Sequence, residues 1–439
     1  MIVMKFGGTS VESAGAIARV AGIVKTRLAQ KPVVVVSAMG KTTNKLLAIA
    51  TRAAEGDSKG ALGGLEELRQ FHLRESVNCE AEINAHFDQL KDLTKGLAIM
   101  GELTPRAIDA VSAFGERLSS LIVTAQFKSR GIEAVHVDSR EVIVTDKRHT
   151  QAAPLFAETN AKLAASIPEL ARQGVPVMGG FIASSLDGVT TTLGRGGSDY
   201  TASIVGAGIG AEEIQIWTDV DGMLTADPTI FPGGHRVETC SFAEAAELAY
   251  FGAKVLHPAT VLPAIEKNIP VRILNSRRPE VEGTLIVSHP PPASTPIRSI
   301  ACKRNITLVN IVSSRMLMAH GFLRRIFEIF DRHETPVDML ATSEVSVSLT
   351  VDSTRALDAI RTEIEEFAEV SIEQDHGIVC LVGENIRGCP EVSARAFKAL
   401  GNIKTRMISQ GASQLNISMV VAARDLARAV ESLHREFFG

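Results

Sequence analysis

The sequence predicts an α/β fold in which a mostly parallel central sheet is sandwiched by helices, followed by two smaller α+β repeats. Three observations predict it: β-branched apolar runs alternate with helix-length segments over the first two thirds, a proline-dense stretch follows at 290–296, and a strand–helix order then occurs twice. Alternating strands and helices favour a parallel sheet that is covered on both faces. At 439 residues the chain has room for two or three domains.

The strands of the first region are short runs bounded by glycine, proline or polar turns. They are predicted at 1–6, 32–36, 132–137, 175–178, 213–220 and 269–274. Helical segments separate them, at 11–28, 58–74, 81–93, 105–130 and 242–255. Because ligands of such sheets bind where loops leave the carboxyl ends of strands, these loops are the first place to look for a site.

The proline-dense stretch 290–296 is typical of a semi-rigid linker and marks a domain boundary. Beyond it, each repeat predicts a small sandwich of sheet and helix. The elements of the first are 307–312, 322–333, 337–341, 344–351 and 355–367, and those of the second are 377–382, 391–400, 403–409, 414–421 and 425–437. The predicted domains are 1–288, 297–372 and 373–439.

Composition excludes several classes of function. The net charge of −4 and the lack of a long basic run argue against binding to nucleic acid or to an anionic membrane. The five cysteines are scattered and form no Cys-x-x-Cys pair, so neither a disulfide framework nor a zinc site is expected. The strand-like amino terminus and the absence of a membrane-length apolar run favour a cytoplasmic protein.

Two glycine-rich loops are candidates for binding an anion. In 191–199, Arg195, Ser198 and Asp199 stand at the start of an Ala/Gly-rich helical segment, where free backbone N–H groups favour negative charge. In 5–10, Lys5 precedes Gly7 and Gly8 between a strand and a helix, although the P-loop pattern is absent. The alternative for each loop is a tight turn with a hydroxyl or carboxylate as helix N-cap.

Six motifs occur in order along the chain, at 5–10, 114–120, 191–200, 217–222, 226–228 and 251–258. Together they resemble the signature set of the aspartate kinases, in particular the monofunctional, lysine-sensitive group of the amino-acid kinase superfamily. The resemblance implies the amino-acid kinase fold followed by two ferredoxin-like ACT domains. It also implies ATP-dependent phosphorylation of the β-carboxylate of L-aspartate, with Mg²⁺, as the first step toward lysine, threonine and methionine.

By this resemblance, Lys5 and Asp199 are catalytic, with Lys5, Gly7 and Gly8 at the phosphates. Phosphoryl transfer requires positioning and charge stabilisation, and the attacking carboxylate is already ionised at neutral pH. Glu116 is expected to bind the amino group of aspartate and Arg195 its α-carboxylate. The resemblance also places Thr43, Phe181 and Ser198 in this pocket. Without the motif, Glu116 and Arg117 would be a solvated charge pair on a helix.

For the nucleotide, the resemblance points to Thr218, Asp219 and Lys254. Leu224 and Thr229 stand where some lysine-sensitive relatives carry a tyrosine and an arginine near the nucleotide. We therefore expect a functional ATP site of somewhat altered affinity.

The resemblance also implies feedback inhibition by lysine, and a homodimer or dimer of dimers formed through the ACT domains. The implied effector residues are Met316, Phe322, Leu323, Val337, Asp338, Ser343 and Glu344. Asp338 and Glu344 supply negative charge suited to the ammonium groups of lysine. Ala319 stands where the subgroup commonly has a serine. The alternative is that Glu344 is a charge at a strand edge and that Met316 is a core residue.

Three other functions compete with this interpretation. A carboxylate or carbamate kinase of the same superfamily would use similar anion loops but generally lacks paired C-terminal modules. A non-catalytic amino-acid sensor would not need Lys5, Arg195, Ser198 and Asp199 together. A fusion to homoserine dehydrogenase is not expected, since no glycine-rich dinucleotide motif follows.

Overall fold

The computed structural model describes the chain except for residues 252–255, 257, 292–294 and 315–319. Its internal contacts divide it into two compact units. The first comprises 1–223, 238–242 and 255–290, and the second comprises 224–237, 243–254 and 291–439. Lys254, Met316 and Ala319 lie outside the described residues.

The strands of the first unit are β1 Ile2–Phe6, β2 Pro32–Val36, β3 Ala134–Val137, β4 Val144–Thr145, β5 Val175–Gly179, β6 Ile182–Ser185, β7 Thr190–Thr192, β8 Glu213–Thr218, β9 Thr239–Ser241, β10 Val271–Asn275 and β11 Thr284–Val287. Its helices are α1 Ala14–Lys25, α2 Thr42–Ala54, α3 Ser58–Glu75, α4 Glu80–Met100, α5 Pro105–Ser112, α6 Phe114–Ser129, α7 Ser139–Val142, α8 Phe156–Gln173, α9 Gly197–Ile209 and α11 Leu262–Glu266. α10 Phe242–Tyr250 begins in this unit and continues in the second.

Within the described residues, the main sheet has the order β3-β5-β2-β1-β8-β10-β11-β9. Its neighbours pair in parallel except β10 and β11. β1, β2 and β5 are buried along their whole length, as expected of parallel strands covered on both faces. Phe6 and Trp217 stack in this core with ring centroids 5.8 Å apart. The predicted sandwich is confirmed, and the carboxyl end of β1 lies in the middle of the sheet.

One helix predicted from the sequence is divided in the structure. Residues 105–130 form α5 and α6, which meet at Ala113. Ala113 keeps helical φ and ψ angles, so the division is a local break between two helices. It separates Asp109 on α5 from Glu116 in the first turn of α6.

The second unit contains β12 Ile297–Val312, α12 Phe322–Arg332, β13 Met339–Thr342, β14 Ser346–Val351, α13 Leu357–Glu365, β15 Glu369–Gly383, α14 Pro390–Leu400, β16 Thr405–Gln410, β17 Asn416–Ala422 and α15 Leu426–Phe438. Both repeats have the predicted order of elements. Their strands form one sheet, in the order β13-β14-β12-β15-β17-β16. Each repeat thus has the predicted sheet and helices, and the two repeats share one continuous sheet.

The reason is the length of the two central strands. β12 begins at Ile297, ten residues before the predicted start at 307, and β15 begins at Glu369 rather than at 377. The two pair in antiparallel register from Ile297 with Gly383 to Val312 with Glu369. This pairing satisfies backbone groups that would otherwise stand at two open sheet edges.

In the part of the chain that the structure describes, no helix combines the length and the apolar character needed to cross a bilayer.

Candidate active site and effector site

Lys5 lies in β1 near the carboxyl end of that strand, and the residue is 8% exposed. Its Nζ is 2.7 Å from Oδ1 of Asp199, which stands in the first turn of α9. A carboxylate in the first turn is favoured by the helix dipole. The structure thus brings the two predicted catalytic residues together as an ion pair shielded from solvent.

Position 8 requires glycine because there is no room for a Cβ, not because of its backbone angles. A Cβ at this position would lie 2.9 Å from the carbonyl oxygen of Ala38 and 3.0 Å from that of Gly40. Gly7 has an ordinary extended conformation, and its N–H donates to the carbonyl of Trp217 at 3.1 Å. The loop therefore holds its backbone against the neighbouring loop, and a side chain would push the two apart.

The second glycine loop, 191–199, was predicted either to bind an anion or to form a tight turn with a side-chain N-cap. Gly194 and Gly196 adopt left-handed angles, with φ of +75° and +72°, so the turn itself requires glycine. However, the N-cap of α9 is Gly196, and among the described residues no side chain caps this helix. The side chains of Ser198 and Asp199 therefore do not serve as N-caps of α9.

A cavity of about 320 Å³ lies between the two loops. Predicted residues that line it are Lys5, Gly8, Thr43, Glu116, Phe181, Ser198 and Asp199. Ser37, Ala38, Gly40, Gly194, Gly196 and Gly197 complete the lining. Residues from five separate parts of the sequence thereby form one site at the carboxyl ends of the central strands.

Glu116 is the most unusual carboxyl group of this cavity. The residue is 4% exposed, and its Oε1 accepts a hydrogen bond of 3.1 Å from the backbone N–H of Ala38. Its Oε2 is buried and has no hydrogen-bond partner within the described residues. Burial raises the pKa of this carboxyl to about 8. An ammonium group in the cavity would satisfy the free oxygen and stabilise the ionised form.

Arg195 is exposed and does not itself line the cavity. Gly194 and Gly196 on either side of it do, so Arg195 lies at the cavity's rim. The structure therefore brings six of the seven predicted catalytic and substrate residues into the lining and leaves the seventh beside it.

A buried carboxylate that the sequence analysis missed anchors this loop. Asp109 of α5 is 0% exposed and accepts hydrogen bonds from the Thr192 hydroxyl at 2.6 Å and the Thr150 N–H at 3.0 Å. His149 Nδ1 lies 2.7 Å from its other oxygen. An acidic residue on the apolar face of a predicted helix was the available signal, but its partners are distant in sequence.

The predicted nucleotide residues fall in both units. Thr218 ends β8, and its hydroxyl donates to the exposed carboxylate of Asp219 at 3.3 Å. In the second unit, the Leu224 carbonyl accepts from the Ser299 hydroxyl at 2.7 Å. Thr229 is exposed and donates from N–H and hydroxyl to Asp227, while Arg304 donates to its carbonyl at 3.1 Å.

The predicted effector residues lie in the first repeat. Phe322 and Leu323 begin α12, and the Phe322 ring packs edge-on against Phe367. Val337 and Asp338 lead into β13, whereas Ser343 and Glu344 are exposed in the turn between β13 and β14. Asp338 already holds a cation, because Lys303 Nζ lies 2.6 Å from its Oδ1.

Comparison with known proteins agrees with this architecture. Residues 1–275 match the amino acid kinase family, and residues 309–367 and 379–437 match the ACT domain. Aspartokinase 1, chloroplastic, of Arabidopsis thaliana is 40% identical over 99% of this chain and 80% of its own length. This chain belongs to the amino acid kinase family, among its aspartokinases. Lysine-sensitive aspartokinase 3 of Escherichia coli is 37% identical over 100% of this chain and 99% of its own.

Solved aspartokinases have the same fold over the full length of both chains. E. coli aspartokinase III in complex with lysine and aspartate superimposes with a TM-score of 0.88 at 35% identity. The same enzyme with aspartate and ADP gives 0.82 at 34% identity. The expectation of an aspartate kinase with paired ACT domains is confirmed.

Proposed function

We propose that this aspartokinase transfers the γ-phosphoryl group of ATP to the β-carboxylate of L-aspartate in the cavity between its two glycine loops. The observation that carries the proposal is the convergence of the Lys5–Asp199 ion pair and the half-satisfied carboxyl of Glu116 on one cavity. One group is suited to a phosphate and the other to an amino acid. The two kinds of group in one cavity support a phosphate-bearing substrate together with an amino acid.

In this proposal the ammonium of aspartate binds Oε2 of Glu116, and Arg195 reaches the α-carboxylate from the rim. Thr43, Phe181 and Ser198 enclose the side chain. An oxygen of the β-carboxylate then forms a bond to the γ-phosphorus while the bond to the bridging oxygen breaks, and ADP leaves with that electron pair. Lys5 stabilises the charge on the transferred group, and Asp199 orients Lys5.

In this proposal the phosphates bind beside the backbone of Gly7 and Gly8, and Gly8 lines the cavity. We assign the remaining nucleotide contacts to Thr218, Asp219, Leu224, Thr229 and Lys254. Mg²⁺ would be bound mainly by phosphate oxygens and water, as is usual for this ion, and the carboxylate of Asp199 offers the kind of oxygen donor it prefers. The bound ion would neutralise phosphate charge.

We also propose that lysine inhibits the enzyme through the first ACT repeat, at Met316, Phe322, Leu323, Val337, Asp338, Ser343 and Glu344. The proposal includes functional domains at 1–288, 297–372 and 373–439. It also includes a homodimer or dimer of dimers formed through the ACT domains, and a cytoplasmic location. The comparison enzyme solved with lysine and aspartate supports the choice of effector. Mass measured by light scattering with and without lysine tests the assembly.

A hydroxamate assay with ATP, Mg²⁺ and either aspartate or glutamate tests the reaction. We expect aspartyl hydroxamate only, and a loss of roughly a thousandfold or more in kcat for Lys5→Ala, the magnitude typical of lost transition-state charge stabilisation. Lys25→Ala, at the exposed end of α1, is the matched control and keeps full activity. Equal turnover of glutamate, or an active Lys5→Ala enzyme, would contradict the proposal.

A further inference from the structure

Three charged side chains meet at one end of the first ACT repeat. Lys303 of β12 has its Nζ 2.6 Å from Asp338 Oδ1 and 3.0 Å from Asp352 Oδ2. Asp338 immediately precedes β13 and Asp352 immediately follows β14. Because β14 pairs with both β12 and β13, these positions are brought to the same end of the sheet.

Counting only the residues that the structure describes, this cluster has one positive charge fewer than it has negative charges. It holds two carboxylates and one ammonium, and the Tyr250 hydroxyl, which donates to Asp338 Oδ1 at 3.4 Å, adds a hydrogen bond but no charge. Burial raises the pKa of the Asp338 carboxyl despite the opposing effect of Lys303. The remaining negative charge is therefore incompletely compensated.

Asp338 also has a free acceptor. Its side chain is 6% exposed, and its Oδ2 is buried without a hydrogen-bond partner within the described residues. Leaving such an oxygen unpaired is costly, and a second ammonium group would pair with it. Charge and hydrogen-bonding capacity thus both indicate that one further cation fits at Asp338.

We propose that Lys303 is a tethered ammonium that shares Asp338 with the effector and sets the concentration at which free lysine binds. This inference rests on the proposed effector site. The ammonium of a bound lysine takes Oδ2 while Lys303 keeps Oδ1, so two positive charges face each other across one carboxylate. Their repulsion weakens effector binding, and Asp352 moderates it by drawing Lys303 toward itself.

The proposal predicts opposite effects for two substitutions of neighbouring residues. Lys303→Met removes the competing charge but keeps an unbranched apolar stem, so lysine should bind roughly tenfold more tightly. Asp352→Asn releases Lys303 to pair fully with Asp338, so lysine should bind several-fold more weakly. Lys303→Arg keeps the charge and serves as the matched control, with affinity close to that of the unmodified protein.

Calorimetric titration of the full chain with lysine, alongside lysine inhibition curves, measures these effects. Kinase activity without lysine should stay within about twofold, since none of these residues lines the active-site cavity. A purely structural ion pair would instead give a less stable Lys303→Met protein whose lysine affinity is unchanged or lower, and that result overturns the inference. Should Lys303→Met fail to fold, an unchanged or increased affinity in Asp352→Asn overturns it as well.

The same titration separates this inference from the proposed function. If the unmodified protein phosphorylates aspartate but binds no lysine, the proposed effector is wrong and the inference fails with it. If lysine binds with equal affinity to the unmodified protein and to Lys303→Met, the effector stands and only the role of Lys303 is wrong.

Discussion

At the scale of single residues, the proposed role of Glu116 would couple its protonation to the binding of aspartate. Its ordinary pKa of 4.5 is raised to about 8 by burial, so the folded protein without ligand favours the neutral carboxyl at neutral pH. The resulting contribution to stability is fully present below pH 4.5 and is lost as the pH rises through about 8. In the proposed function the ammonium of aspartate pairs with the ionised form, so binding of aspartate would release a proton at neutral pH.

We therefore expect the KM for aspartate to fall as the pH rises from 6 to about 8 and then to level off. Glu116→Gln should raise this KM, remove its dependence on pH over that range, and make the ligand-free protein relatively more stable at pH 8. Steady-state kinetics and thermal unfolding between pH 6 and 9 measure both effects. Glu102→Gln, an exposed control, should keep the original profile. A Glu116→Gln enzyme with that same profile would assign the titration to another group.

At the scale of elements, the loop that carries Arg195 is held in place by contacts with helix α5. Asp109 ties together Thr192 at the end of β7 and Thr150 of the preceding connection. The Thr150 carbonyl in turn lies close to Gly194, where an added Cβ would approach it to 3.1 Å. Through Asp109, helix α5 thus supports the loop that the proposed function places at the substrate.

Thr192→Val keeps the shape of this side chain but removes the hydroxyl that donates to Asp109. We expect roughly a tenfold higher KM for aspartate with the KM for ATP nearly unchanged, because small displacements at a substrate-positioning loop are costly. Thr94→Val is the matched control: this buried hydroxyl in α4 donates only to its own helix at Leu90, so its loss should leave both constants alone. Equal rises in both KM values would indicate a general loss of structure instead.

Another element, α10, makes polar contacts with three segments that are distant from it in sequence. Glu244, Glu247 and Tyr250 recur every three residues, and each contacts the second unit's sheet or its turns. Glu244 pairs with Arg298, Glu247 accepts from Ser413 and Asn416, and Tyr250 donates to Asp338. The sequence predicted a helical segment at 242–255, whereas the polar partners of these three side chains come from three distant segments.

For the molecule as a whole, the shared sheet of the ACT repeats has a consequence for truncation. A chain ending at residue 368 would lack β15 and expose the full edge of β12, together with Ile300 and Cys302 of the core that β15 completes. We expect such a chain to aggregate or to lose its C-terminal structure. Light scattering and circular dichroism test this. A monodisperse protein of unchanged melting temperature would show that the first repeat folds alone.

The sequence by itself determined the class of fold, the alternation of strands and helices, the order of elements in the paired repeats, and the family. It did so because apolar periodicity and glycine spacing are local, and because six motifs in fixed order are specific. These same features identified Lys5, Glu116, Ser198 and Asp199, which the fold then gathered around one cavity.

Only the tertiary structure decided which distant groups meet. Thr192 and Asp109 are 83 residues apart, and Lys303 and Asp338 are 35 apart, so no local pattern links either pair. The joining of two repeats into one sheet likewise depends on backbone pairing between β12 and β15. Strand register and burial set these contacts, and they determine which carboxylates remain available for a ligand.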